Sequence, residues 1–279
     1  MSTPFQFCLN TSTIDGQKLS VVEKINIAAQ AGYSAIEPWI RDLDQFVQEG
    51  GVLADLKKRI QDAGLTVPSV IGFFEWVVDD EDRRKKGFEE AKRSMALVRQ
   101  IGGNRIAAPP FGATEQADAN LLTIGRRYRE LLELGEQSDV IPQVEFWGRS
   151  QTLGRLGEAA LVAIHSDHPA ACILADVYHL YKGGSGFHGV RLLQGRSLPV
   201  FHFNDYPATP VHAEITDAHR VYPGDGVAPL PDLLKDLRTI GFQGHLSLEL
   251  FNRDYWAQDP RLVARTGLEK MKALALAAS

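Results

Sequence analysis

Eight short apolar runs, each followed by a helix-length amphipathic stretch or a longer connection, most narrow what this chain can fold into. The runs are FQFCLN (5–10), AIEPW (35–39), VPSVIG (67–72), RIAAPP (105–110), IPQVEFW (141–147), CILADVY (172–178), PVFHFND (199–205) and HLSLELF (245–251). Between them, stretches such as VVEKINIAAQAG, LADLKKRIQDAG, EEAKRSMALVRQIGG and LPDLLKDLRTIG carry apolar residues at helical spacing. Each of these four closes on a glycine able to take the left-handed C-cap conformation. Parallel strands separated by helices need crossover connections, and eight such units can close on themselves and remove every sheet edge. The 279 residues suit a closed barrel, which uses roughly 250 as one domain. The pattern predicts an α/β fold, a (β/α)8 barrel in a single domain over 1–279. An open doubly wound sheet would want a glycine-rich dinucleotide loop after the first run, and TSTIDGQ (11–17) is not one.

Charge and composition exclude several classes of function. Thirty Lys and Arg against 35 Asp and Glu leave a net charge of −5, with no basic blocks to grip a nucleic-acid backbone. No apolar stretch approaches the roughly 18–20 residues that span a bilayer, so no membrane partner is expected. The start, MSTPFQFCLN, lacks the basic and long apolar regions of a signal peptide. Cys8 and Cys172 each sit in an apolar run and read as buried thiols; two cysteines make neither a disulfide framework nor a CxxC zinc site. A reduced, cytoplasmic protein is expected.

Side chains alternate faces along a strand, which sorts the later runs by parity. Leu246, Leu248 and Leu250 share one face, and Ser247 and Glu249 the other. Likewise Phe201 and Phe203 alternate with His202 and Asn204, Val144 and Phe146 with Gln143 and Glu145, and Ile173 and Ala175 with Leu174 and Asp176. Four consecutive strands thus aim Glu145, Asp176, His202 and Glu249 inward near their carboxyl ends, where barrel active sites form. Alone, Glu145 could be an ion-pair partner and His202 a hydrogen-bonded core histidine. Together, three carboxylates in a partly dry cavity would repel, and some would have to take up protons. One divalent metal ion removes that conflict, and oxygen-rich ligation with one imidazole suits Mn²⁺, Mg²⁺, Co²⁺ or Zn²⁺.

Aromatics cluster near the same strand ends. Trp39, Phe73, Phe74, Trp76 and Trp147 are expected to shape the pocket, with Trp147 the foremost because it adjoins Glu145. Trp256 fits either the rim or a contact with a neighbouring subunit. The irregular segment 206–229 is long for a compact domain and reads as a functional loop. GGSG (183–186) reads as a flexible loop, and DDEDRRKK (79–86) as a solvated loop entering a helix. His165, His168, His188, His212, His219 and His245 have no mutual metal spacing. No compact basic cluster stands at a strand end, so an unphosphorylated substrate is expected.

VEFWG (144–148), LADVYHLYKGGSG (174–186), FHFND (201–205), RVYPGDG (220–226) and LSLELFN (246–252) resemble the xylose isomerase-like TIM-barrel sugar isomerases and epimerases. Within them the likeness is to inosose (2-keto-myo-inositol) isomerase-type proteins, and it takes in NTST (10–13) and AGYSAIE (31–37). The resemblance implies that Glu145, Asp176, His202 and Glu249 ligate the metal and that Glu145 and Glu249 exchange protons with substrate carbon. It further implies that His179 and Arg220 bind substrate oxygens; Trp147, Trp39 and Phe73, by their place at the strand ends, are the expected substrate-contacting walls. Its substrate would be a small keto sugar or cyclitol, and homo-oligomers are within its range. The chemistry agrees, since moving a carbonyl or inverting the carbon beside it begins with loss of an α-proton, which a carboxylate can take. The expected activity is therefore a divalent-metal-dependent isomerase or epimerase acting through an enediolate. A dehydratase of the 3-dehydroshikimate or inosose type starts with the same step and is the alternative. An abasic-site nuclease would need more strand-end histidines and a basic groove, and a sugar-binding protein would not need two proton-transfer carboxylates.

Overall fold

The computed structural model describes residues 5–278; residues 1–4, where the leader reading begins, and Ser279, the end of the expected domain, lie outside the described residues. Seven strands form one parallel sheet: β1 (Gln6–Asn10), β2 (Ala35–Glu37), β3 (Arg105–Ala108), β4 (Ile141–Glu145), β5 (Ile173–Asp176), β6 (Val200–His202) and β7 (His245–Leu248). Their spatial order is β2-β1-β7-β6-β5-β4-β3. The gap between β2 and β3 is filled by residues 66–71, which bridge Ala35 through Thr66, Trp39 through Ile71, and Ile106 through Val70. The eighth unit expected at 67–72 is therefore present as an irregular stave rather than a strand. Pro68 has no N–H to give a ladder, which confines its pairing to isolated bridges. The whole is a (β/α)8 TIM barrel.

The strands are shorter than the apolar runs. Pro109 and Pro110 follow β3, and Val177 starts the short helix Val177–Lys182 directly after β5. As a result Asn10, Glu37, Glu145, Asp176 and His202 are each the last residue of a strand, and Glu249 lies one past β7. Helix ends follow the sequence signals closely. Helix Val21–Ala31 starts with a Ser20–Glu23 capping box and stops at Gly32, whose φ of 92° is costly for residues with a Cβ. The charged run 79–86 is mostly helical, because Asp80 caps Glu81–Gln100 and places its acids in the first turn.

Parity divides the core as expected. Leu246, Leu248, Phe201, Ile173, Ala175 and Val144 join the large apolar cluster of strands and helices. Leu174 and Val200, which share parity with Asp176 and His202, belong instead to a small cluster with Trp39, Ile71 and Ala107. Of that inner cluster, Trp39 and Ile71 line the cavity at the strand ends. No helix among the described residues is long and apolar enough to cross a membrane.

Candidate metal centre and active site

Asp176 terminates β5 and caps the next helix, its Oδ1 accepting from the His179 amide at 3.0 Å. The cap fixes the carboxylate at the barrel mouth and places His179 beside it. One ligand atom each from Asp176, His202 and Glu249 lies within 4.8 Å of the others, and all three residues are buried. His202 Nδ1 faces Asp176 Oδ2 at 3.6 Å and Glu249 Oε2 at 3.1 Å, yet it makes no hydrogen bond of acceptable geometry. Its other nitrogen, Nε2, is 3.1 Å from Glu37 Oε2. With the proton on Nε2, the lone pair of Nδ1 points at the two carboxylates, as a metal-ligating imidazole with an outer carboxylate partner requires. The donor set thus fits a divalent cation.

Glu145, expected as a fourth ligand, is buried at the end of β4 and lines the cavity but lies outside this three-residue set. Burial, reinforced by Glu249 and Asp176 and opposed by His202, pushes its carboxyl up to about 8. It is the carboxylate that relieves the crowding by holding a proton.

Arg220 answers part of the remaining negative charge. Its Nη1 donates to Asp176 Oδ2 at 2.7 Å and Glu249 Oε2 at 2.8 Å, and its Nη2 to Asp217 Oδ1 at 2.6 Å. Burial works against the guanidinium, but the three acids hold its pKa above the ordinary arginine value. Arg220 comes from segment 206–229, and the loop is pinned in place. Asp205 exchanges backbone hydrogen bonds with Val221, and its side chain accepts from the amides of Tyr206, Gly224, Gly226 and Ala228. The guanidinium also stacks over Tyr178 and Phe251 at 4.7 and 5.1 Å. His179 Nε2 is 3.3 Å from Arg220 Nη2. Burial, with Arg220 adding to it and Asp176 opposing, lowers His179 to about 4, so it is neutral at ordinary pH.

These groups open onto a cavity of about 320 Å³ walled by Trp39, Phe73, Trp147, Phe251 and Trp256. Phe73 lies between Trp39 and Trp147, with edge contacts at 5.3 and 5.7 Å. Phe74 and Trp76, expected at the pocket, are instead fully in the core. Trp76 donates to Pro109 O at 2.8 Å and packs on Tyr128, since beyond the strand end no alternation sets the direction of successive side chains. Trp256 is at the rim.

Sequence reasoning missed Glu37, Asn10 and Asp217. Glu37 Oε2 accepts from Ser247 Oγ at 2.7 Å and Asn10 Nδ2 at 2.9 Å besides facing His202. Asn10 also donates to Glu249 Oε1 and accepts from Trp39 Nε1, joining wall to donors. A signal for Glu37 existed: an acid near the end of an apolar run, like Glu145, Asp176 and Glu249.

The family profile for the xylose isomerase-like TIM barrel matches residues 25–274. Inosose isomerase of Bacillus velezensis is 24% identical over 96% of this chain and 96% of its own length. The 3-dehydro-D-guloside 4-epimerase of Escherichia coli is 23% identical over 89% of this chain and 93% of its own. A solved structure of IOLI protein with a binding zinc atom superposes with a TM-score of 0.91 at 21% identity, covering 99% of both chains.

Proposed function

The chain belongs to the xylose isomerase-like TIM barrel family, and we propose that it is a divalent-metal-dependent isomerase or epimerase of a keto sugar or keto-cyclitol. Residues 1–279 act as one catalytic domain, and the buried thiols of Cys8 and Cys172 suit the reducing cytoplasm. The observation that carries the reading is the buried His202 Nδ1, free of a hydrogen bond and facing Asp176 and Glu249.

Asp176, His202 and Glu249 hold the cation, with Glu145 as the additional carboxylate; Mn²⁺, Co²⁺, Mg²⁺ and Zn²⁺ suit these donors, and the zinc of the IOLI structure makes Zn²⁺ the first to test. When bound, the ion supplies Lewis-acid stabilisation of the enediolate oxygen that forms as an α C–H proton leaves. Glu145 takes that proton and Glu249 shares its return. Arg220 and His179 hold substrate oxygens so that the proton moves from a near-attack geometry. Trp39, Phe73 and Trp147 pack on the substrate's C–H face and keep water away.

Incubating the metal-loaded protein with inosose in D₂O tests the reaction. Deuterium should enter the α-carbon while product and substrate keep the same composition. A product lighter by one water would make the enzyme a dehydratase, and absence of exchange across keto sugars and cyclitols would overturn the proposal.

A second expectation concerns Glu37. Glu37→Leu removes the acceptor that orients His202 and should weaken metal binding by about 10–100-fold. Glu37→Gln keeps an acceptor oxygen and should lose less. Competition with a chromophoric chelator reads the affinity, and thermal melts of the metal-free proteins separate it from a general loss of stability.

A further inference from the structure

Three arginines lie over tryptophan rings around the barrel mouth: Arg41 over Trp39 at 4.1 Å, Arg149 over Trp147 at 5.2 Å and Arg253 over Trp256 at 4.8 Å. Their partners differ. Arg41 stands outside the cavity and its Nη2 is 2.6 Å from Asp15 Oδ2. Arg149 and Arg253 line the cavity, and among the described residues neither guanidinium has a hydrogen bond or an ion pair. Two acids in the same wall, Asp217 and Glu249, bond Arg220 rather than either of these arginines. Two guanidiniums without an ion-pair partner therefore face the outer cavity, on a chain whose net charge is −5. Both side chains are exposed, so they meet an incoming anion at the mouth of the cavity and draw it in by long-range attraction.

We propose that the substrate bears an anionic substituent, a carboxylate or a phosphate, away from its reacting carbons, and that Arg149 and Arg253 receive it. The inference rests on the proposed isomerase or epimerase reading and names the substrate class of that site. Arg149 follows β4 and Arg253 follows β7, so no single stretch of sequence displays the pair as a basic cluster.

Calorimetric titration of the metal-loaded protein with D-fructose, D-fructuronate and D-fructose 6-phosphate tests it. At least one anion should bind about tenfold or more tightly than D-fructose, with the advantage shrinking as salt is raised. The stronger of the two anions identifies carboxylate or phosphate. In Arg149→Gln/Arg253→Gln, checked for an unchanged circular dichroism spectrum, the advantage should fall to near unity. If neither anion outbinds D-fructose, or if the double variant keeps the preference, the proposal falls. Solvent-deuterium exchange on keto sugars and cyclitols is read separately: its absence beside an intact charge preference sinks the isomerase reading and leaves the anion site standing.

Discussion

Replacing His202 with leucine is expected to weaken divalent-metal binding by more than about 100-fold, beyond what loss of an outer partner costs, and to reduce turnover to background. The histidine is the only nitrogen donor in the three-residue set, and its Nδ1 has no other hydrogen-bond partner. Leucine has a similar volume and suits a fully buried position, so packing is largely kept. It does leave Glu37 and Glu249 without the imidazole between them, and some stability will be lost. Asp176→Asn provides the control for that loss. The amide can still accept from the His179 backbone and keeps its size, but it surrenders the charge that draws a cation and the oxygen that accepts from Arg220, at some cost in stability. Equilibrium dialysis should show both variants metal-poor while Asp176→Asn remains folded. Wild-type affinity in both would remove these residues from the centre.

Glu145→Gln should lower kcat by about 10²–10⁴-fold with little change in KM, because the amide fills the same space but cannot take a proton. To act as a base Glu145 must be ionised, and in the metal-free protein burial pushes its carboxyl up to about 8. A bound cation favours the ionised form, so the rising limb of kcat/KM with pH should lie below that value and vanish in the glutamine variant. Folding gives an independent readout. A carboxyl whose folded pKa is raised stabilises the fold fully below its unfolded pKa, and that contribution is lost as pH rises through the folded value. Metal-free wild type should therefore lose stability relative to Glu145→Gln between about pH 4.5 and 8, by on the order of a few kcal/mol. Parallel melts of the two proteins across that range would contradict the assignment.

Strand alternation is what made much of the site legible. A polar residue at every second position of an apolar run has only one inward direction; Asp176 and His202 are register partners on β5 and β6, and Glu249 follows two residues after Ser247, the partner of His202 on β7, on the same face. Glu145 obeys the same rule but sits one strand further round, where its carboxylate is apart from the other three. Glu37 escaped because β2 is only three residues long and its partner is 165 residues away. Asp217 lies in a loop with no period to read, although the length of that loop marked it as functional. The eighth stave illustrates the reverse case: the apolar run at 67–72 was in the right place, and Pro68 broke the ladder there. Trp76 fell in the core because a tryptophan beyond a strand end is aimed by its loop, and this one found Pro109 O.

One cation at the mouth of the barrel is the centre of the proposed chemistry, and diffraction at the absorption edge of the loaded metal tests for it directly. Crystals grown with Mn²⁺ or Zn²⁺ should give one strong anomalous peak in bonding contact with Asp176, His202 and Glu249. A peak elsewhere, or none at saturating metal, would contradict the account.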